Sequence, residues 1–363
     1  MVAGCAGPLP PAVQQTPTAA GVAPPASSLP PGAAIVQGKS RWQPVAWEEL
    51  PGFRDDALNE AWNAWLKSCE RPPAVFARLC PEVRRLSIGS ADEQRAWMMQ
   101  RLQPYRVEPS QGPAEGLLTG YYEPMLEASR RPTATRSIPL FRPPAGLGTR
   151  KPWYSRQEID MLPEARAALR GREIAYVADP LDALALQIQG SGRLRITEPD
   201  GSSHWVRLSF AGSNDQPYRS VGGWLLQQGA LRDASWAGIK AWVAEHPQRL
   251  NELLWSNPRF IFFREESLSE LDAALGPRGA QGVALTPGRS IAVDKDSIPY
   301  GTPVWLVSSG PLLTLRRLVL AQDTGSAIVG GLRADYFTGW GSEAGDVAGR
   351  LKQPLSLWVL WPK

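Results

Sequence analysis

The chain is poor in the residues that carry most enzyme chemistry: it has two histidines, His204 and His246, and three cysteines, Cys5, Cys69 and Cys80. No Cys/His spacing of a metal site and no His-Glu-x-x-His is present, so no metal is expected. A Walker loop and a Gly-x-Ser-x-Gly elbow are missing as well. A Ser-His-Asp triad would need His204 or His246, and neither stands in a suggestive context. No organic cofactor is expected either. The formal net charge is only +4, without a long Lys/Arg run, which argues against nucleic acid as a partner. A mildly basic surface does suit an anionic polymer. No stretch is long and apolar enough to cross a bilayer.

Glycine and proline, in contrast, are abundant, with 34 and 35 residues, and this favours short strands and many turns over a helical bundle. At 363 residues the chain can form one large or two ordinary domains. The 15 tryptophans must partly be core. Aromatic faces also stack on sugar rings, so carbohydrate is a candidate ligand from composition alone.

Val2-Ala3-Gly4-Cys5 is similar to a bacterial lipobox, although only Met1 precedes it, with no basic or apolar leader region. Either the start lies further upstream or the match is chance. The Pro- and Ala-rich, uncharged stretch from Pro8 to Gly32 reads as a tether, and residues 1–40 are assigned to lipobox and tether. An acylated Cys5 anchor would place the protein in the periplasm, on the outer membrane, touching the bilayer through lipid only. It would also leave Cys69 and Cys80, eleven residues apart, to form one disulfide in an oxidising compartment, the alternative being two buried thiols.

Helical spacing marks Leu58–Lys67 and Asp92–Leu102, the second opened by the capping pattern Ser90-x-x-Glu93. A further helix is expected over Ser155–Arg170. Leu117–Pro124 reads as a strand with adjacent tyrosines, Tyr121 and Tyr122. Leu186-Gln187-Ile188-Gln189 alternates with period two and reads as a strand turned back by Gly190-Ser191-Gly192. Helical segments are placed at Trp236–Glu245 and Arg249–Leu254, and a strand at Asn257–Phe263. After Gly276-Pro277-Arg278-Gly279, short strands are expected at Gly282–Leu285, Ser290–Val293, Pro303–Val307, Arg317–Gln322 and Leu355–Leu360. Strands so short and so closely spaced suggest a small closed β-barrel.

Two acids stand out. Asp323 follows the buried-strand run Leu318-Val319-Leu320 and opens a glycine-rich turn, and Asp335 comes twelve residues later among Tyr336, Phe337 and Trp340. They read as two carboxylates facing one groove, or as two caps that bond turn N–H groups.

Four pieces together, Gly120-Tyr121-Tyr122-Glu123-Pro124, Gln187-Ile188-Gln189-Gly190-Ser191-Gly192-Arg193, Ala292-Val293-Asp294 with Ile298-Pro299-Tyr300-Gly301-Thr302-Pro303, and Gln322-Asp323-Thr324-Gly325 with Ala334-Asp335, resemble the membrane-bound lytic murein transglycosylase A family over roughly residues 41–363. The C-terminal part also resembles the domain named for three aspartates, here Asp294, Asp323 and Asp335. The resemblance implies a mainly β fold with peripheral helices. It consists of a double-psi β-barrel from residues 41–122 plus 264–363, a smaller β-barrel domain inserted at 123–263, and a cleft between them.

By motif, the family's catalytic acid falls on Asp335, with Asp323 beside it. Related barrels often carry His-Phe before the acid, where this chain has Arg333-Ala334. Thr119, Tyr121, Tyr122, Glu123, Gln187, Gln189, Ser191 and Asp294 are the implied glycan-binding residues. The implied reaction cleaves the MurNAc–GlcNAc bond of peptidoglycan, leaving a 1,6-anhydro ring, in cell-wall turnover. Glycan strands are then the partner, with cell-wall synthesis proteins as further candidates. Three alternatives stand beside it: an inverting hydrolase that uses both acids and water, an expansin-like protein that binds glycan without cutting, and a non-enzymatic outer-membrane scaffold.

Overall fold

The computed structural model describes residues 32–110, 115–232 and 234–363, so Cys5 and the stretch up to residue 31 lie outside the described residues. The chain begins with β1 (Ile35–Gln37) and β2 (Ser40–Pro44), continues through helices α1 (Leu58–Ser68), α2 (Ala74–Ala77), α3 (Cys80–Arg85) and α4 (Ala91–Arg101), and returns as β3 (Leu102–Pro109) and β4 (Gly116–Glu123). A second unit follows: β5 (Met125–Ser129), β6 (Ile138–Phe141), α5 (Arg156–Met161), α6 (Pro163–Leu169), β7 (Glu173–Val177), α7 (Pro180–Gln189), β8 (Ser191–Thr197), β9 (Ser203–Ser213), α8 (Val221–Gln227), α9 (Trp236–Glu245), α10 (Leu250–Ser256) and β10 (Ile261–Ser267). The chain then passes through α11 (Glu270–Ala273) to β11 (Ser290–Val293), β12 (Pro303–Ser309), β13 (Thr314–Asp323), β14 (Arg333–Trp340), α12 (Gly341–Arg350) and β15 (Lys352–Pro362).

Strands β4, β15, β12, β13, β11 and β14 close on themselves, because β15 pairs with β4 as well as with β12, while β3, β2 and β1 extend the sheet beyond β15. Two contacts in this ring are parallel, β11 with β13 and β14 with β4, and the ring is the double-psi barrel expected. Alternate residues of its strands, among them Leu118, Ile291, Val293, Val319, Ala334 and Tyr336, fill the interior, as the period of two requires.

Helices α1–α4 cover the outside of this barrel. Trp62, Trp65 and Trp97 pack on one another with ring centroids 5.1–5.7 Å apart, and the Cys69–Cys80 disulfide ties the end of α1 to the start of α3. The capping box at Ser90 and Glu93 opens α4 as its spacing indicates. Arg289 is 1% exposed and donates to both Asp56 oxygens at 2.8 and 2.9 Å, fixing the entry to α1 against the barrel.

The second unit is a six-stranded sheet, β10-β9-β8-β5-β7-β6, in which β5 and β8 are parallel. It curls without closing: edge strands β6 and β10 share no backbone ladder, but Arg142 of the loop after β6 and Arg130 both reach Glu265 on β10. Its last strand runs to Ser267, four residues past the expected boundary at Phe263.

Three local expectations need correction. Residues 186–189 end helix α7 and are not a strand, because Asp179 caps the Leu181 N–H, Pro180 occupies the first turn, and Gly190 closes the helix at φ 81°. The single helix over Ser155–Arg170 is two, broken where Pro163 starts α6. Gly282–Leu285 carries only an isolated bridge, Arg278 with Ala284.

The two units are joined at Glu123. It is 0% exposed and accepts from Arg193 Nε at 2.7 Å and from Arg207 Nε at 2.6 Å. Those guanidinium groups also donate to the carbonyls of Ala273 and Leu275, so β4, β8, β9 and the connection after β10 meet at one carboxylate. Glu123 is thus sealed from any ligand, contrary to its expected role in glycan binding. Removing one partner of such a buried group typically costs about 3–5 kcal/mol. Glu123→Ala should therefore lower unfolding free energy by about that much in a denaturant titration; a midpoint within error of wild type would show that the junction does not depend on it.

Candidate active site

Between the barrel and the second sheet lies a cavity of about 440 Å³, lined from the barrel side by Tyr121, Gly279, Ala280, Asp323 and Thr324 and from the inserted side by Gln187, Gln189, Ser191, Ser209, Tyr218 and Arg259. Register places the two acids. Ala292 on β11 pairs with Asp323 across one edge and with Asp335 across the other, so the carboxylates belong to strands two apart on one rung, roughly 9–10 Å between Cα atoms. Thr119 pairs with Asp335 on the next strand, and Tyr121, two residues on, shares its face. Gly279 is required here: a Cβ would meet the Gln322 carbonyl at 2.5 Å and the Asp323 Cβ at 3.2 Å, so only glycine lets this loop pass behind the acid.

The acids have different surroundings. Asp323 accepts from the Ala280 N–H at 2.9 Å through Oδ1 and from the Tyr121 hydroxyl at 3.0 Å through Oδ2. Burial nevertheless pushes its carboxyl up to about 6; these hydrogen bonds pull it down and Asp335 pushes it further up. Asp335 accepts one hydrogen bond, from the Thr119 hydroxyl to Oδ1 at 2.5 Å, and Thr119 in turn accepts from Arg333 Nη2 at 2.7 Å. Its other oxygen, Oδ2, has no partner among the described residues, yet it is not a sealed, unsatisfied atom. Burial raises the Asp335 carboxyl above the ordinary Asp value, against the opposing pull of Thr119 and Arg333. Of the aromatics expected around it, Tyr336 points into the barrel and bonds the Gly288 carbonyl, while Phe337 packs on Tyr121 at 5.3 Å.

The remaining expected residues divide. Tyr121, Gln187, Gln189 and Ser191 line the cavity and Thr119 orients Asp335. Gln187 is 6% exposed and already accepts from Arg156 Nη2 at 2.6 Å, and Gln189 accepts from the Tyr122 N–H at 3.1 Å. Tyr122 itself turns to the opposite face of β4, against Gly345 on α12. Asp294 lies outside the cavity, where Oδ2 accepts from the Gly330 N–H at 2.8 Å and holds the glycine-rich turn. Among the described residues no tryptophan lines the cavity; its aromatic surface is Tyr121, Phe210 and Tyr218. Arg156, Phe210, Tyr218, Asn257 and Arg259 were not legible as site residues, since no motif links them and only the fold of the inserted sheet assembles them.

The MltA specific insert domain matches residues 117–264 and the 3D domain matches residues 289–361. A solved lytic transglycosylase, LtgG of Burkholderia pseudomallei, is 43% identical, with 92% of this chain and 100% of that one covered and a TM-score of 0.60. The chain belongs to the family of membrane-bound lytic murein transglycosylase A. The Escherichia coli K12 protein of that name is 34% identical over 255 residues, 67% of this chain, and the match spans 64% of that relative's length. The crystal structure of E. coli MltA with bound chitohexaose is 25% identical, with 92% of this chain and 95% of that one covered and a TM-score of 0.68. Among the described residues no helix is long and apolar enough to cross a membrane.

Folded Asp323 holds its proton to about pH 6 while its ordinary value is 3.8. Between those values the folded state binds more protons than the unfolded chain, so this residue makes stability fall as pH rises. Asp323→Asn removes the penalty, and its melting temperature relative to wild type should climb between about pH 4 and 6.5. A constant offset across that range would mean that Asp323 titrates as an ordinary aspartate.

Proposed function

We propose that this protein is a peptidoglycan lytic transglycosylase that cleaves the β-1,4 bond between MurNAc and GlcNAc and closes a 1,6-anhydro ring. The observation that carries this reading is the asymmetric carboxyl of Asp335, anchored through one oxygen by Thr119 with the other open, beside a cleft walled by both β units. Family membership and the chitohexaose complex of a relative support a glycan strand as the occupant. Protonated Asp335 gives its proton to the glycosidic oxygen as the bond to C1 breaks. The C6 hydroxyl of the same muramic residue then bonds to C1 and gives up its own proton to the Asp335 carboxylate, which restores the acid. The nucleophile is tethered, so no water is needed and the step has the advantage of an intramolecular reaction. A bound glycan would displace water from the acid and raise its pKa further. Asp323, held by two donors and ionised above about pH 6, is then the charged neighbour that stabilises positive charge developing at C1.

The spacing of the acids favours one competing reading. The acids stand on strands two apart, and an inverting glycosidase would need their carboxyls about 6.5–9.5 Å apart with a water between them. Products separate the two: anhydromuropeptides for the lyase, new reducing ends for the hydrolase. Periplasmic placement through a lipid on Cys5 belongs to this proposal too, as the relatives' name includes the words membrane-bound.

Asp335→Asn should cut release of anhydromuropeptides from purified sacculi by about 10²–10⁴-fold, with melting temperature and sacculus binding retained. Full activity in Asp335→Asn with loss in Asp323→Asn would reverse the two roles.

A further inference from the structure

The cleft carries more positive charge than its acids can balance. Four arginines line it, Arg156, Arg259, Arg264 and Arg278, against Asp323 as the single lining carboxylate among the described residues. Arg264 pairs with Glu266 at 2.8 Å, and Arg156 is buried and spends its donors on the Asn257 and Arg259 carbonyls and on Gln187. Arg259 and Arg278 are different. Each donates to one backbone carbonyl, Gln216 at 3.2 Å and Gly282 at 3.2 Å respectively, and neither has a carboxylate within ion-pair distance among the described residues. The carboxylate that acts on Arg259 from a distance, Asp215, stands 3.8 Å from Lys151. Arg259 comes from the inserted unit and is half-buried; Arg278 comes from the returning connection, two residues before the Ala280 N–H that binds Asp323. The same cavity holds an unsatisfied polar group: Ser209 is 5% exposed and its hydroxyl has no hydrogen-bond partner, on the rung between Ser191 and Arg264. A half-buried guanidinium, an exposed one and an orphaned buried hydroxyl in one cleft offer donors to a ligand that brings acceptors.

We propose that Arg259 and Arg278 read carboxylates on the glycan strand and so determine which strands the cleft accepts. This rests on the peptidoglycan reading above. Muramic acid supplies the carboxylate in one of two ways. On a strand stripped of peptide its lactyl carboxylate is free. On a peptide-bearing strand that carboxyl is an amide, and the carboxylates belong to the peptide. An arginine serves either, since its planar fork matches a carboxylate bidentately.

The test is binding by calorimetry in an Asp335→Asn background, where no ligand is consumed, with three soluble probes of similar length: peptide-bearing glycan, amidase-stripped glycan and neutral chitooligosaccharide. Arg259→Gln and Arg278→Gln should each weaken a carboxylate-bearing probe about tenfold and leave the neutral one unchanged. Arg259→Lys should restore part of the loss, and the preference for charged probes should shrink with added salt. Loss confined to the peptide-bearing probe assigns the carboxylates to the peptide, and loss with the stripped probe assigns the lactyl group. Equal loss for the neutral probe, or no loss with any, overturns the proposal. Because binding is read without turnover, a failure of the lyase reading shows separately, as missing anhydro products from the wild-type enzyme.

Discussion

The cleft depends on a single buried carboxylate. Glu123 ends the barrel strand that carries Thr119 and Tyr121, and its two oxygens take Arg193 from β8 and Arg207 from β9. Arg193 also lies over the Trp340 ring, 4.2 Å from its centre, at the end of the strand that carries Asp335. A buried ion cluster of this kind is seldom more stable than an apolar core of equal volume. What it supplies is a defined geometry, because charge-assisted hydrogen bonds tolerate little displacement. The same guanidinium groups hold the carbonyls at the end of α11, and the chain from there runs to Gly279 and Ala280 beside Asp323. Both walls of the cleft are thus referred to one point.

The two acids show how one strand rung can hold two different carboxyls. They flank Ala292 and both are raised by burial, but they differ in the donors each receives. Asp323 has a donor on each oxygen, which fixes its orientation and opposes, without cancelling, the rise that burial imposes. Asp335 is fixed at one oxygen by the Thr119 hydroxyl, which donates to it while accepting from Arg333. The free oxygen is left to carry a proton. Sequence distance says nothing of this difference; the count of donors does.

Tryptophan content pointed to sugar binding, yet the tryptophans went elsewhere. Trp42, Trp62, Trp65 and Trp305 are among the largest fully buried side chains, serving the barrel and its helical cover. Large flat side chains give a small barrel the apolar area it otherwise lacks. The cleft instead presents tyrosine, phenylalanine and arginine, groups that combine a flat face with a polar or charged edge.

What the sequence determined by itself was whatever depends on local chemistry. Helical apolar spacing placed α1 and, with a capping pattern, α4, and strand-like apolar runs placed β4, β10 and β13. The glycine-rich turn after Asp323 and the absence of metal-ligand spacing were equally plain, and the four motifs named the family. Local alternation misled at Gln187 and Gln189, where a cap, a proline and a left-handed glycine outweighed it. Only the tertiary structure decided which side each motif residue faces. Tyr121 enters the cleft while its neighbour Tyr122 turns away, Glu123 is sealed at the junction, and Asp294 holds a turn outside. It also decided that Arg259 and Arg278, nineteen residues apart and in no motif, line one cleft without an ion pair among the described residues. Facing and pairing are set by register between distant strands and by which charges fold next to one another, and neither leaves a mark in neighbouring residues.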